Sequence, residues 1–195
     1  MLRVEGLGKT YGERVALAGV SFALAPGTIT AVIGGNGAGK STLLRCIAGL
    51  AEHDGRVELE RPVAYLPQSA RLPAAASTAE IVELFSRISG RAAADVDPAW
   101  LGAGAERRAA TLSGGEQQRA ALAALFALDP RTLLLDEPTA NLDDAGRAAL
   151  AERLRGLAAT GATIVVTSPA PQASALLGIA DRVITLERGR LVDPA

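Results

Sequence analysis

The sequence predicts an α/β fold: a mainly parallel sheet flanked by helices, preceded by an antiparallel β lobe and interrupted by a small inserted helical subdomain. Three observations carry this expectation. The second half alternates apolar runs with helical periodicity, the pattern of parallel strands joined by helical crossovers. Ile29-Thr30-Ala31-Val32-Ile33 and Thr132-Leu133-Leu134-Leu135-Asp136 are too apolar to leave one face in water, so both read as central strands covered by helices on both sides. The first thirty residues look instead like meander strands, with alternating Leu2-Arg3-Val4-Glu5 and a turn at Ala25-Pro26-Gly27.

In chain order, strands are expected near 2–5, 15–24, 28–33, 57–60, 63–66, 132–136, 162–167 and 181–187, and helices near 39–50, 78–89, 114–128, 144–159 and 171–180. Residues 69–110 carry little strand signal, much alanine, and breakers at Pro73, Gly90, Pro98, Gly102 and Gly104. They read as a helical subdomain inserted between core strands, so that 1–68 and 111–195 form the core of one domain spanning 1–195. Within the insertion, Ile81, Val82, Leu84, Phe85 and Ile88 form an apolar face expected to cover the subdomain's own core. Gly189-Arg190-Leu191-Val192 reads as the second arm of a terminal hairpin.

Composition narrows the class. A chain of 195 residues with 49% apolar content fills a core of one-domain size. No apolar run approaches the ~18 to 20 residues of a membrane span, and the N-terminus has no charged region followed by an apolar one, so the chain is expected to be neither secreted nor membrane-spanning. A net charge of −1 with interspersed signs makes nucleic acid an unexpected partner. Cys46, in the apolar stretch Leu43–Ala48, reads as a buried small hydrophobe. His53, the one histidine, reads as an exposed loop residue, neither ligand nor base.

Gly34-Gly35-Asn36-Gly37-Ala38-Gly39-Lys40-Ser41 matches GxxxxGK[ST] between a buried strand and a helix, followed by Thr42. In that pattern glycines let the backbone wrap phosphates, Lys40 pairs with the β- and γ-phosphates of a nucleotide, and Ser41 offers its hydroxyl to Mg²⁺. Asp136 and Glu137 end an equally buried strand. Their carboxylates suit Mg²⁺ binding and polarisation of an attacking water respectively. A second loop, Leu112-Ser113-Gly114-Gly115-Glu116-Gln117-Gln118-Arg119, opens a helix as an anion site without a lysine of its own.

That second loop resembles the signature motif of ATP-binding cassette (ABC) ATPases, the nucleotide-binding subunits of ABC transporters. Further resemblances follow in the family's order: Tyr11 at an aromatic-loop position, Gln68 closing Val63-Ala64-Tyr65-Leu66-Pro67-Gln68, and Pro138-Thr139-Ala140-Asn141-Leu142-Asp143 as a D-loop. The resemblance implies a P-loop NTPase-type sheet, and ATP and Mg²⁺ as ligands. It implies a head-to-tail dimer in which Ser113, Gly114 and Gly115 of one domain reach the γ-phosphate held by Lys40 of the other. Tyr11 would stack on adenine, Gln68 would contact Mg²⁺ and water, and Asp143 would join the two sites; Asp143 also reads as a helix N-cap.

Two departures from the family stand out. After Ala162-Thr163-Ile164-Val165-Val166-Thr167 the pattern calls for a histidine that helps organise the attacking water, and this chain has Ser168-Pro169. Losing one preorganised donor typically costs ~3 kcal/mol of transition-state stabilisation, so slow hydrolysis is expected, with Ser168 left to donate one neutral hydrogen bond. The segments between Lys40 and Gln68, and between Gln68 and Leu112, are also short for the family. The leading reading is an ATPase subunit serving a separately encoded membrane permease, peripheral on the cytoplasmic face of the membrane. The alternatives are a non-transport ABC protein and a degenerate, regulatory cassette acting as an ATP-driven clamp. The second cassette of the dimer is identical or homologous.

Overall fold

The computed structural model describes residues 1–90, 100, 105–169 and 174–192. Strand β1 (Leu2–Tyr11) turns at Gly12 and Glu13 into β2 (Arg14–Leu24), and β4 (Asp54–Leu59) pairs on the other edge of β1, giving an antiparallel sheet of order β2-β1-β4. The turn is tight because Gly12 takes a φ of 56°, a conformation open to glycine at no steric cost. Alternation sets the faces. Leu2, Val4 and Leu7 are buried, whereas Arg3 and Glu5 are exposed and paired with each other.

The second sheet has six strands in the order β5-β6-β7-β3-β8-β9. Five run parallel: β5 (Val63–Leu66), β6 (Thr132–Leu135), β7 (Thr163–Ser168), β3 (Ile29–Ile33) and β8 (Arg182–Glu187). The last, β9 (Arg190–Leu191), returns antiparallel as the expected terminal hairpin. The helices are α1 (Lys40–Ile47), α2 (Thr78–Ser89), α3 (Gly114–Ala127), α4 (Asp144–Ala159) and α5 (Ser174–Leu177), with a 3₁₀ turn at Ala109–Thr111.

Two of these are shorter than periodicity suggests. The pattern near 39–50 stops at Ile47 because Gly49 adopts a φ of 74° and the Gly49 and Leu50 N–H groups close back on the carbonyls of Cys46 and Arg45. Of the helix expected over 171–180, α5 forms four residues, and 171–173 lie outside the described residues.

Each face of the parallel sheet has its own core. On one, Ile29, Ala31, Leu133, Leu135, Ile164 and Val166 pack beneath α2, α3 and α4, joined by Trp100, whose ring meets Phe126 edge-on at 5.1 Å. On the other, Val32, Leu134, Val165, Ile184 and Leu186 pack against Leu43, Leu44 and Ile47 of α1 and against Leu2, Val4, Leu7 and Leu17 of the antiparallel sheet. Helices thus lie on both faces as expected, and on the second α1 shares the cover with the antiparallel lobe. One face is roofed largely by a second sheet, because the alternation in β1 and β2 supplies an apolar surface that α1 alone is too short to provide. Fully buried leucines such as Leu133, Leu134 and Leu135 each contribute roughly 2 kcal/mol by leaving water. Cys46 is buried within this second core, and burial raises its thiol pKa.

The α2 face also differs from expectation. Ile81 and Val82 are buried and Phe85 packs on the core, but Leu84 and Ile88 stand 56% and 67% exposed. α2 packs on α3 and shares its core cluster, so only part of its apolar face is used inward. Of the breakers, Pro98, Gly102 and Gly104 lie outside the described residues.

Register collects the functional segments at one edge. Ile33 pairs with Ser168, and Leu135 pairs with both Leu66 and Val166, so β3, β5, β6 and β7 all end together. The loops carrying Gly34, Gln68, Asp136 and Ser168 leave from that carboxyl edge, where ligands of open parallel sheets bind.

Candidate functional site

The loop Gly34–Gly39 leaves β3 and is pinned from both sides. A β-carbon on Gly34 would stand 2.2 Å from the Leu186 carbonyl oxygen, and one on Gly39, at φ 109°, would stand 2.7 Å from that of Ala16. Neither backbone neighbour can yield, so both positions require glycine. Lys40, the first residue of α1, is 5% exposed. Its ammonium donates to the carbonyls of Gly34 at 2.8 Å and Gly35 at 3.4 Å, and Glu137 Oε1 lies 3.6 Å away.

Strand β6 delivers the two carboxylates differently. Asp136 is 1% exposed, and its Oδ1 accepts a hydrogen bond of 2.7 Å from the Thr167 hydroxyl. That hydroxyl in turn accepts from the Glu137 N–H at 2.9 Å, tying the end of β6 to the end of β7. The Asp136 charge also acts on Tyr65, whose phenol is pushed up to about 12, first by burial and then by this carboxylate, against a smaller opposing effect of Arg45. Glu137 takes a φ of 50°, a left-handed conformation that non-glycine residues adopt at a cost and that clusters at functional sites. It turns the side chain between Lys40 and Gln68, whose Nε2 donates to Glu137 Oε2 at 2.9 Å.

These groups border a cavity of about 570 Å³ that opens over Asn36–Thr42 and is completed by Tyr11, Arg14, Gln68 and Glu137. Tyr11 is 45% exposed, with the Lys9 ammonium 4.9 Å from its ring centroid. Thus Tyr11, Asn36, Gly37, Ala38, Gly39, Lys40, Ser41, Thr42, Gln68 and Glu137 converge, with Gly34 and Gly35 holding Lys40 from behind. Ser168 does not line this cavity: it closes β7 beside Ile33 and is 3% exposed.

The signature segment lies elsewhere. Ser113 caps α3, its hydroxyl accepting from the Glu116 N–H at 3.3 Å while its own N–H donates to Glu116 Oε2 at 2.7 Å. That bond and the Arg107 guanidinium at 2.8 Å hold the Glu116 carboxyl below its ordinary range. Ser113 and Gly114 are exposed, and neither they nor Gly115 borders the cavity around Lys40. The segment is instead fastened to the loop after β6. Gln118 Nε2 donates to the Pro138 carbonyl at 3.1 Å, Arg119 lies 3.8 Å from Asp143, and Asp143 caps α4 through the Gly146 N–H at 2.9 Å.

Gly115 makes the closest of these approaches, since a β-carbon there would stand 2.7 Å from the Asn141 carbonyl oxygen. Gly115→Ala is therefore expected to destabilise the fold by ~1–3 kcal/mol through forced separation of the two loops. Gly114→Ala, whose new carbon meets only the Asn141 side chain at 3.9 Å, is the mild control. Chemical denaturation of the pair checks the contrast.

Sequence reasoning placed Gln118 in the signature segment and Asn141 in the D-loop without foreseeing their contacts, and missed Thr167 and Arg14. Thr167 alone carried a visible signal, a hydroxyl among the β-branched apolar residues of β7. His53 is half-buried rather than exposed, its Nδ1 3.1 Å from the Asp54 carbonyl oxygen. Among the described residues no cluster of three His, Cys, Asp or Glu side chains could enclose a metal, and no helix is long and apolar enough to cross a membrane.

A family model described as ABC transporter matches residues 17–140. A Fe(3+) ions import ATP-binding protein of Rhodococcus jostii is 37% identical over 97% of this chain and 60% of its own length. An aliphatic sulfonates import ATP-binding protein of Xanthomonas axonopodis is 39% identical over 97% of this chain and 69% of its own. The chain thus spans about 60% of the length of some curated relatives it matches. Among solved structures, an ATP-binding subunit of an ABC transporter superposes with a TM-score of 0.90 at 27% identity, covering 99% of this chain and 88% of that one. A bacterial ABC transporter cassette solved as a dimer gives 0.89 at 25% identity, covering 99% and 97%.

Proposed function

Because this chain belongs to the ABC transporter family of ATP-binding cassettes, we propose that it binds and hydrolyses ATP as one half of a head-to-tail dimer that drives a separate membrane permease. The observation that carries this reading is the split between two phosphate-binding segments. Lys40 sits in a cavity with Glu137 and Gln68, while the exposed Ser113-Gly114 start of α3 faces no nucleotide site of its own chain. A helix N-terminus with uncommitted N–H groups is complementary to phosphate, and a second copy supplies the missing half. A dimeric cassette among the structural neighbours supports the pairing.

Within the site, the roles follow from chemistry. The loop N–H groups and Lys40 cradle the phosphates, the ammonium exchanging the Gly34 and Gly35 carbonyls for phosphate oxygens. Tyr11 offers a ring to the base. Glu137, held by Gln68 at 2.9 Å and turned toward the cavity, is the group placed to take a proton from the attacking water. Ser41 and Gln68 border the cavity, Asp136 is buried directly before Glu137, and these three would supply the oxygen donors that suit Mg²⁺: the Gln68 amide nitrogen is spent on Glu137, which leaves its oxygen as acceptor. Mg²⁺ bound there would neutralise charge developing on the phosphates.

The permease sets the cargo. Relatives are named for importing Fe(3+) or aliphatic sulfonates and, in another case, for Nod factor export, so this cassette fold serves more than one cargo and direction. Docking through a permease places the chain on the cytoplasmic face of the membrane. A slow, clamp-like cassette is the second reading, favoured by the buried Ser168 at the position where the family carries histidine. The basic reading is tested by calorimetric titration with MgATP. Lys40→Ala is expected to abolish binding while preserving the fold, and undiminished binding would rule this site out.

A further inference from the structure

We propose that Arg14 is a second phosphate-binding side chain of this cavity, gripping the nucleotide's phosphate chain at the Gly37 end of the loop. The proposal rests on the nucleotide reading above and adds to it a residue that no motif in the chain marks. Arg14 opens β2 and is the register partner of Tyr11 across the Gly12–Glu13 turn, and both side chains border the cavity. One hairpin tip therefore presents a ring and a guanidinium to the same ligand space. The guanidinium reaches over the phosphate loop itself: a β-carbon on Gly37 would stand 3.4 Å from its terminal nitrogen. Arg14 is exposed, and its terminal nitrogen nonetheless lies along the loop.

Its pairing is equally informative. Like Arg61, Arg71, Arg155 and Arg190, the Arg14 side chain meets no carboxylate among the described residues, but of these it alone borders the cavity. The cavity's other cation, Lys40, already faces Glu137 at 3.6 Å, so the uncompensated positive charge of the cavity wall is that of Arg14. A triphosphate brings several negative charges, and the planar fork of a guanidinium matches two phosphate oxygens where an ammonium offers a point charge. The alternative partners in reach, ribose and base, are neutral and give a guanidinium less.

The test is calorimetric titration of the full chain and of Arg14→Ala and Arg14→Lys, using ATP, inorganic tripolyphosphate and adenosine as separate probes. In Arg14→Ala, affinity for ATP and for tripolyphosphate is expected to fall about tenfold with a shallower salt dependence, since one charge-assisted phosphate contact is lost. Arg14→Lys should recover part of the loss. Adenosine binding and the thermal midpoint should stay near wild type. Unchanged ATP affinity in Arg14→Ala overturns the proposal and leaves the nucleotide site standing. Weakened adenosine but unaltered tripolyphosphate binding also overturns it, by assigning Arg14 to the nucleoside. If the wild-type chain binds neither ATP nor tripolyphosphate, the nucleotide reading falls and this proposal with it.

Discussion

Glu137→Gln is expected to lower ATP turnover at least about hundredfold while leaving ATP binding intact, the loss typical of removing a positioned general base. The substitution is close to isosteric. A glutamine oxygen can still accept from Gln68 Nε2, which Glu137 does at 2.9 Å, and the left-handed backbone at φ 50° is no harder for glutamine than for glutamate. Only the charge goes, and with it both the proton acceptor and the 3.6 Å attraction to Lys40. Because Lys40 is then freer to meet phosphate, affinity for ATP should hold or rise. Blocked hydrolysis with retained binding traps the closed dimer. Phosphate release and light scattering with MgATP read the two consequences together; a variant that turns over at the wild-type rate would remove Glu137 from the chemistry.

Ser168→His is expected to move turnover the other way, raising it between about tenfold and a hundredfold, because one preorganised donor near developing charge is worth ~3 kcal/mol. The lower bound reflects this chain's own structure. Ser168 is 3% exposed, does not border the cavity, and precedes Pro169, so an imidazole must swing past the end of β7 to reach the ligand space. The histidine effect should also depend on Glu137: Ser168→His combined with Glu137→Gln should stay inactive. A wild-type rate already high, and indifferent to position 168, would contradict the account of slow hydrolysis.

Much of the fold and site was legible in the sequence, for reasons that differ by element. The loop Gly34–Ser41 is a local device: its glycines, lysine and hydroxyl are contiguous, and a buried strand before it and a helix after it fix its context. The central strands were equally plain, since an uninterrupted apolar run such as Leu133-Leu134-Leu135 has no wet face to hide. What roofs them was not legible. The packing of β1 and β2 over Val32, Leu134 and Val165 depends on pairings between segments far apart in the chain, which periodicity does not encode. The same limit explains the missed contacts. Gly115 against Asn141, Gln118 against Pro138 and Thr167 against Asp136 join residues that become neighbours only after the sheet assembles. Arg14 escaped notice because a single arginine after a turn carries no pattern. The half-buried α2 face misled in the opposite direction, since periodicity marks Leu84 and Ile88 as apolar without saying whether the protein covers them.

Completion of each site by a second copy is read out by mixing two variants that are each inactive. Lys40→Ala destroys the phosphate loop and keeps the signature; Ser113→Arg blocks the signature and keeps the phosphate loop. In an equimolar mixture of freely exchanging subunits, half the dimers are mixed, and each mixed dimer holds one intact composite site. Recovery to about a quarter of the wild-type ATPase rate is expected from two preparations that are silent alone, as the symmetry of a two-fold dimer requires. A mixture as silent as its components, from variants that remain folded and exchange subunits, would contradict it.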